Sequence, residues 1–445
     1  MITHHSNSML SSKTVRLLAA VMALGLCAFP AGTQTQTEAQ PQQQPQTETQ
    51  KKAKKKGNKA EQTKQPTRIA FDISKIVWPS PPEIARVKFE NLLTGHQIDW
   101  ASLNSNQKPK MSWMDRLAGA QPDYQVKDVA KKMGFQLIRV FGVAADSKGN
   151  IYAADQGVGA IFIFPNGKAD GLQLIKNGEQ AHLPKINGLA VDDNDRLFVT
   201  DLKLHHVLVL NAKHETEATF GAEYLVSPAG VALDTTNRFA YVVDTQQDQV
   251  LVFDADSYKL LRRIGTGGKK HTLTGPGDFS LPTNVAVDKD GNVFVTDTLN
   301  DRVEIFDAEG GFISEFGTPG DGPGRFARPK GIAIDCDRHI WVADEVQNRV
   351  QVFDKDGRLL IYFGELGGYP GQFDALYGIA YDKLNNRIIT SEQFPGRVQT
   401  FRYVTDAEAA AERARRGAEQ NNPAPKTAGS TPQKGGDSSN KTLPR

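Results

Sequence analysis

The chain of 445 residues predicts an all-β fold built by repeating one four-stranded unit six times, and three observations carry that expectation. The stretch RPKGIAIDCDRHIWVADEVQNRVQVFDKDG, Arg328 to Gly357, alternates short apolar runs with Asp- and Gly-bearing turns, giving strand, turn, strand, turn, strand. Leu359–Phe363 adds a fourth strand. An acid ends the first run of each unit, at Asp146, Asp192, Asp234, Asp288, Asp335 and Asp382, at intervals of 46, 42, 54, 47 and 47 residues. A second acid ends the second run, at Asp155, Asp201, Asp244, Asp297, Asp344 and Glu392, and the third run ends on Phe164, Leu210, Phe253, Phe306, Phe353 or Phe401. A sheet this small cannot bury enough surface alone and must stack on copies of itself, which at this period means a six-bladed β-propeller.

Pro329–Phe353 and Pro282–Phe306 share the order P-x-G/N-[IV]-A-[VI]-D, then an aromatic-bearing strand ending in Asp, then R-V-x-[VI]-F. These segments, with glycine-rich connectors such as Gly317–Phe326 and Gly364–Phe373, resemble the NHL repeat. The resemblance covers about residues 137–403 and is fullest in blades four and five; blade one lacks the proline. It implies a propeller with a central channel.

Residues 1–31 carry Lys13 and Arg16 before an apolar run from Leu17 to Phe29, the pattern of a secretory signal and too short for an ordinary membrane span. Leu24–Cys27 resembles part of a lipobox, making Cys27 the candidate lipidation residue; cleavage after Ala28 or Ala31 is the alternative. The 32–67 segment, nearly all Gln, Thr, Glu, Pro and Lys, reads as a disordered linker. Residues 68–136 hold a strand, Arg86–Leu93, followed by a partly helical insertion with short helices expected at Trp113–Ala118 and Val126–Met133. The propeller is expected over 137–404. Its sixth unit lacks a fourth strand, so Arg86–Leu93 is expected to supply it and close the ring. Over 405–445 a short helix, Ala407–Arg416, precedes a Pro-, Ser- and Lys-rich disordered tail. With Cys27 and Cys336 the only cysteines, the domain holds no internal disulfide, and Cys336 reads as a turn residue.

In such a ring the residues just before each first strand point at the mouth of the channel. By register these are Phe141, Asn187, Ala229, Thr283, Lys330 and Tyr377, followed by Gly142, Gly188, Gly230, Asn284, Gly331 and Gly378. The candidate binding set is Phe141, Asn187, Thr283, Asn284, Lys330 and Tyr377. Peptide-amidating lyases on comparable propellers need converging histidines for zinc, and none of these positions is His. Lactonase-like propellers hold a hard cation with carboxylate and amide oxygens; Asn187 and Asn284 offer two amides, no acid joins them, and Lys330 would repel the ion. Glu90 or His96 reaching the mouth would favour the enzyme. The twelve recurrent acids occur in every unit, as turn caps do and active sites do not. Arg302, Arg349 and Arg397, each opening a third strand, are expected to pair with acids of the same or an adjacent blade.

A net charge of +2 argues against a dedicated nucleic-acid binder. The expectation is an exported, bacterial NHL-repeat propeller in the periplasm, cell envelope or medium, acting as a scaffold without cofactor. It binds a protein or peptide, or an envelope polymer, and touches membrane only through a lipid on Cys27. The alternative is a hydrolase, lactonase-like or lyase propeller with a metal at the central channel.

Overall fold

A computed structural model describes residues 73–95, 137–267 and 275–421. The chain divides after Arg68; the unit Met1–Arg68 lies outside the described residues, and the unit Ile69–Arg445 carries the fold. The expected signal, Cys27, the linker, the insertion helices, His96 and the tail beyond Asn421 also lie outside them.

Blade one comprises Val140–Ala145, Ile151–Asp155, Ala160–Phe164 and Gln173–Lys176; blade two, Ile186–Val191, Leu197–Asp201, His206–Leu210 and Thr216–Phe220. Blade three runs Pro228–Asp234, Phe239–Asp244, Gln249–Asp254 and Leu260–Ile264, and blade four Pro282–Val287, Val293–Asp297, Arg302–Phe306 and Phe312–Phe316. Pro329–Ile334, Ile340–Asp344, Arg349–Phe353 and Leu359–Phe363 form blade five. In each, antiparallel strands follow one another outward from the axis, and the six first strands meet side by side in a closed ring. The second strands are buried almost end to end, because both of their faces pack on neighbouring blades. The phenylalanines that end the third strands are buried between blades, as Phe253, Phe306 and Phe353 illustrate.

Both sets of recurrent acids cap turns. Asp335 Oδ1 accepts from the N–H groups of Asp337 and His339, each at 2.9 Å. Asp244 accepts from Ser227, Gln246 and Gln247 N–H groups, at 3.1, 3.1 and 3.0 Å, tying the turn after a second strand to the approach of the first strand of the same blade. The arginines divide. Arg302 pairs with Asp297 at 2.9 Å and Arg397 with Glu392 at 2.6 Å. Arg349 departs from the expectation: it stacks on Tyr362, 5.3 Å from the ring centre, and donates to the carbonyl of Asp321 at 3.4 Å. The acid that opens toward Arg302 from the fourth strand, Glu315, has Tyr362 as its counterpart in blade five.

Blade six holds Leu376–Asp382, Arg387–Gln393 and Gly396–Tyr403, and its fourth strand comes from the other end of the domain. This strand, β2 (Val87–Leu93), runs antiparallel to Gly396–Tyr403 with Val87 opposite Tyr403 and Leu93 opposite Val398. A two-residue strand, β1 (Val77–Trp78), adds a fifth member outside it. Val87, Phe89 and Leu93 point inward, and Phe89 meets Phe401 edge to face at 5.7 Å. The helix α1 (Asp406–Asn421) is longer than expected. A capping box starts it: the N–H of Thr405 donates to Glu408 Oε2 at 2.8 Å and the N–H of Glu408 to Thr405 Oγ1 at 3.3 Å. Ala409 on the helix is buried, and Arg416 donates to the carbonyl of Pro82 at 2.7 Å.

Candidate functional site

The mouth-facing residues sit inside the first strands, as their second residue, rather than before them. In all six blades the pairing of first with second strand slips there, between Val140 and Val143, Ile186 and Leu189, Pro228 and Val231, Pro282 and Asn284, Pro329 and Gly331, and Leu376 and Ile379. Such a bulge bends the strand and re-aims one side chain, here toward the axis. The next residue must then pass close to the neighbouring blade. A Cβ on Gly142 would lie 2.4 Å from the carbonyl of Asn187, and one on Gly378 2.4 Å from that of Phe141. Hydroxyls from alternate second strands stitch the same level: Thr200 donates to Ala229 O at 2.6 Å, Thr296 to Lys330 O at 3.0 Å, and Ser391 to Phe141 O.

Four of the expected residues gather at the mouth. The Tyr377 ring meets Phe141 edge to face at 4.8 Å and lies under the Lys330 ammonium, 5.9 Å from the ring centre. Its hydroxyl reaches Asn187 Oδ1 at 3.4 Å, joining blades six and two, which are not neighbours. Burial pushes the Tyr377 phenol up to about 12, so it stays protonated and donates. Burial pulls Lys330 below its ordinary value, and Glu345, 3.9 Å away, opposes that. Thr283 is committed elsewhere, within 2.7 Å of Thr298 Oγ1 and donating to Lys330 O at 3.0 Å. Asn284 stands where the other blades have glycine, its Oδ1 accepting from Val285 N–H at 2.9 Å and its side chain lying against Gly230. Below this layer the channel holds about 190 Å³, with walls of Val, Leu, Ile, Ala and Gly from the first strands joined by Asn284, Tyr381 and Lys383.

Other residues join the site that strand register alone does not single out. Arg139 stacks between Phe141 and Phe394, at 5.2 and 5.7 Å from their ring centres. Around it on the same face Ile138, Leu299, Val346 and Phe394 are 58, 49, 54 and 55% exposed. The last three are the second residue after the acid of the second strand in blades four, five and six; blades one to three carry Gly157, Lys203 and Gln246 there. That switch from polar to apolar is readable in the repeat alignment. Lys185 and Lys203 are exposed on this face as well.

The mouth does not fit a metal: among its described side chains no two carboxylates or imidazoles converge. Glu90 lies on the outer closing strand, 3.9 Å from Arg387. Among the described residues Asp337, His339 and Asp406 do approach one another, at the start of α1, where Arg86 already places its guanidinium 2.5 Å from Asp406.

Comparison with known proteins gives two family matches, to the SMP-30/gluconolactonase/LRE-like region over residues 105–327 and to the NHL repeat over 326–353. A probable peptidyl-alpha-hydroxyglycine alpha-amidating lyase of Caenorhabditis elegans is 29% identical over 157 residues, 34% of this chain and 44% of that protein. The chain therefore matches less than half the length of that relative. Among solved structures, a protein of unknown function from Bacteroides thetaiotaomicron aligns with TM-score 0.49 and 18% identity, over 61% of this chain and 71% of its own. Virginiamycin B lyase from Staphylococcus aureus gives 0.45 and 14%, over 60 and 96%, and a gluconolactonase from Xanthomonas campestris 0.45 and 16%, over 59 and 86%.

Proposed function

The chain belongs to the SMP-30/gluconolactonase/LRE-like family of NHL-type propellers, and from that premise we propose that it is an exported binding scaffold that takes an acidic, apolar-bearing protein segment on its mouth face. The observation that supports this most is the arc of exposed Ile138, Leu299, Val346 and Phe394 beside a mouth filled by Phe141, Tyr377 and Lys330. Aromatic rings with an arginine between them are what interface hot spots favour. Arg139, Lys185 and Lys203, which among the described residues make no ion pair with an acid, suit an acidic partner. The sequence of residues 1–31 supports export.

A photo-crosslinker at Val346 tests the reading against the same group at Leu384, on the turn of blade six after its first strand. One discrete adduct from Val346, absent from Leu384 and lost in Phe394→Ala with Arg139→Ala, is expected. Equal labelling from both positions overturns the scaffold. Localisation is read separately, from the intact mass and the fraction that holds the mature chain.

The family match and the lyase relative favour a second reading, a hydrolase or lyase acting at the mouth. Turnover of a lactone or an α-hydroxyglycine peptide that Tyr377→Phe abolishes would replace the first reading with this one.

A further inference from the structure

A second cavity lies away from the axis, against the side of blade five. Its walls come from the segment between β1 and β2, the start of β2, the second to fourth strands of blade five, the end of Gly396–Tyr403, and α1. At about 440 Å³ it falls within the size range of small-molecule sites, roughly 300–1,000 Å³. Ile84, Val87, Val352, Leu360 and Ile361 make most of its wall apolar, with the Trp341 ring at its floor. Its polar groups cluster: Tyr403 and His339 are buried, and Arg86 and Arg413 supply two guanidinium groups.

We propose that this cleft binds a small amphipathic monocarboxylate, its head held by Arg86 and Arg413 and its alkyl or aryl body against Ile84, Val87, Val352 and Leu360. Arginine is the side chain best shaped for a carboxylate. Arg413 makes no ion pair among the described residues. Arg86 donates from Nε to the carbonyl of Val404 at 3.1 Å and from one Nη to the hydroxyl of Tyr403 at 3.2 Å and to Asp406 at 2.5 Å, which leaves its other Nη to the guest; Asp406 is 57% exposed, and such a pair is a weak competitor for the guanidinium. Glu83 on the wall, and Asp337 bonded to Tyr403 at 2.6 Å, set the charge of the guest: they repel a dianion such as a phosphate monoester more strongly than a monoanion. A free cation is disfavoured by the same two arginines. The segment 79–86, the start of β2 and α1 complete the cleft against blade five, so it is a property of this chain's additions to the propeller.

Calorimetric titration of the full chain with sodium octanoate, 4-phenylbutyrate and octylammonium chloride tests the proposal. The two carboxylates are expected to bind one to one in the micromolar range and octylammonium at least about tenfold more weakly. Arg413→Gln, at an exposed position, should weaken octanoate about tenfold, and Leu360→Trp should block it by filling the slot; melting curves verify that both variants fold. Phe394→Ala at the mouth should leave octanoate affinity unchanged. The assignment is overturned by equal binding of octylammonium, by unchanged affinity in both cleft variants, or by no heat at millimolar octanoate.

Discussion

The mouth and the cleft beside blade five are both built of aromatic rings and cations, yet they are made by opposite means. At the mouth every blade contributes the same position, the second residue of its first strand, and the bulge and the glycine that follows fix where that side chain goes. The cleft lies at a seam that the repeat alone does not make: in the core beside it Trp78 and Phe89, from the added strands, join Phe363, Phe373 and Phe401 in one aromatic cluster where strands from both ends of the domain meet. There the side chains are the support. A repeat can thus vary its mouth freely while its seam is bound to packing.

Substitutions can break that contrast. Phe401→Ala removes a fully buried ring and should cost about 3–5 kcal/mol, read by thermal or denaturant unfolding. Phe394→Ala, at a ring 55% exposed on the mouth face, should cost no more than about 1 kcal/mol, its main loss being the contact with Arg139. Equal losses would abolish the distinction. Next in size is Glu304, fully buried where blades five and six carry Gln351 and Gln399. Burial raises its carboxyl to about 7, only partly offset by the N–H of Gly277 and the charge of Arg302. Because the folded value lies above the unfolded one, ionisation costs stability above about pH 7, and the cost fades as pH falls toward about 4.5. Glu304→Gln should therefore stabilise by about 1–3 kcal/mol at pH 8 and by nothing near pH 4.5.

A smaller effect is expected at the cleft. Burial pulls His339 down, but Asp335, bonded to Nδ1 at 3.0 Å, and the charge of Asp406 outweigh it and hold the imidazole above its ordinary value, against an opposing Arg86. Asp337 and Tyr403 also face the ring. The stabilisation is complete below the unfolded value and is lost as pH rises through the raised folded one. His339→Gln should flatten that decline in melting temperature between pH 5 and 8, by less than about 1 kcal/mol. Tyr377→Phe, which removes one long hydrogen bond, should change stability least, by about 0.5 kcal/mol.

Periodicity made the fold readable. The acids counted the blades, and a sixth unit without a fourth strand pointed to β2, because an open sheet edge needs a partner. Register also located the mouth positions, but what it could not convey was distance across the axis. Nothing in sequence spacing links Tyr377 to Asn187, 190 positions apart, or places Arg139 between two rings that belong to blades one and six. The bulges stayed hidden for a related reason: they arise from crowding among six backbones at the axis rather than from any residue preference except glycine. β1 is two residues beside a proline run, too short to show a period. The extra length of α1 rests on tertiary contacts, the buried Ala409 and the bond from Arg416 to Pro82, which its largely polar composition does not announce.

The closing strand sets a timetable. Arg86 and Val404, bonded where β2 meets the end of blade six, are 318 positions apart. At a synthesis rate of about 5–20 residues per second, the early strand emerges roughly 15–60 s before its partner exists. Throughout that interval Val87, Phe89 and Leu93 line an unpaired edge, the kind of surface that aggregates or recruits a chaperone. The newborn chain is thus most vulnerable at its beginning, and its safety depends on how soon its last blade arrives.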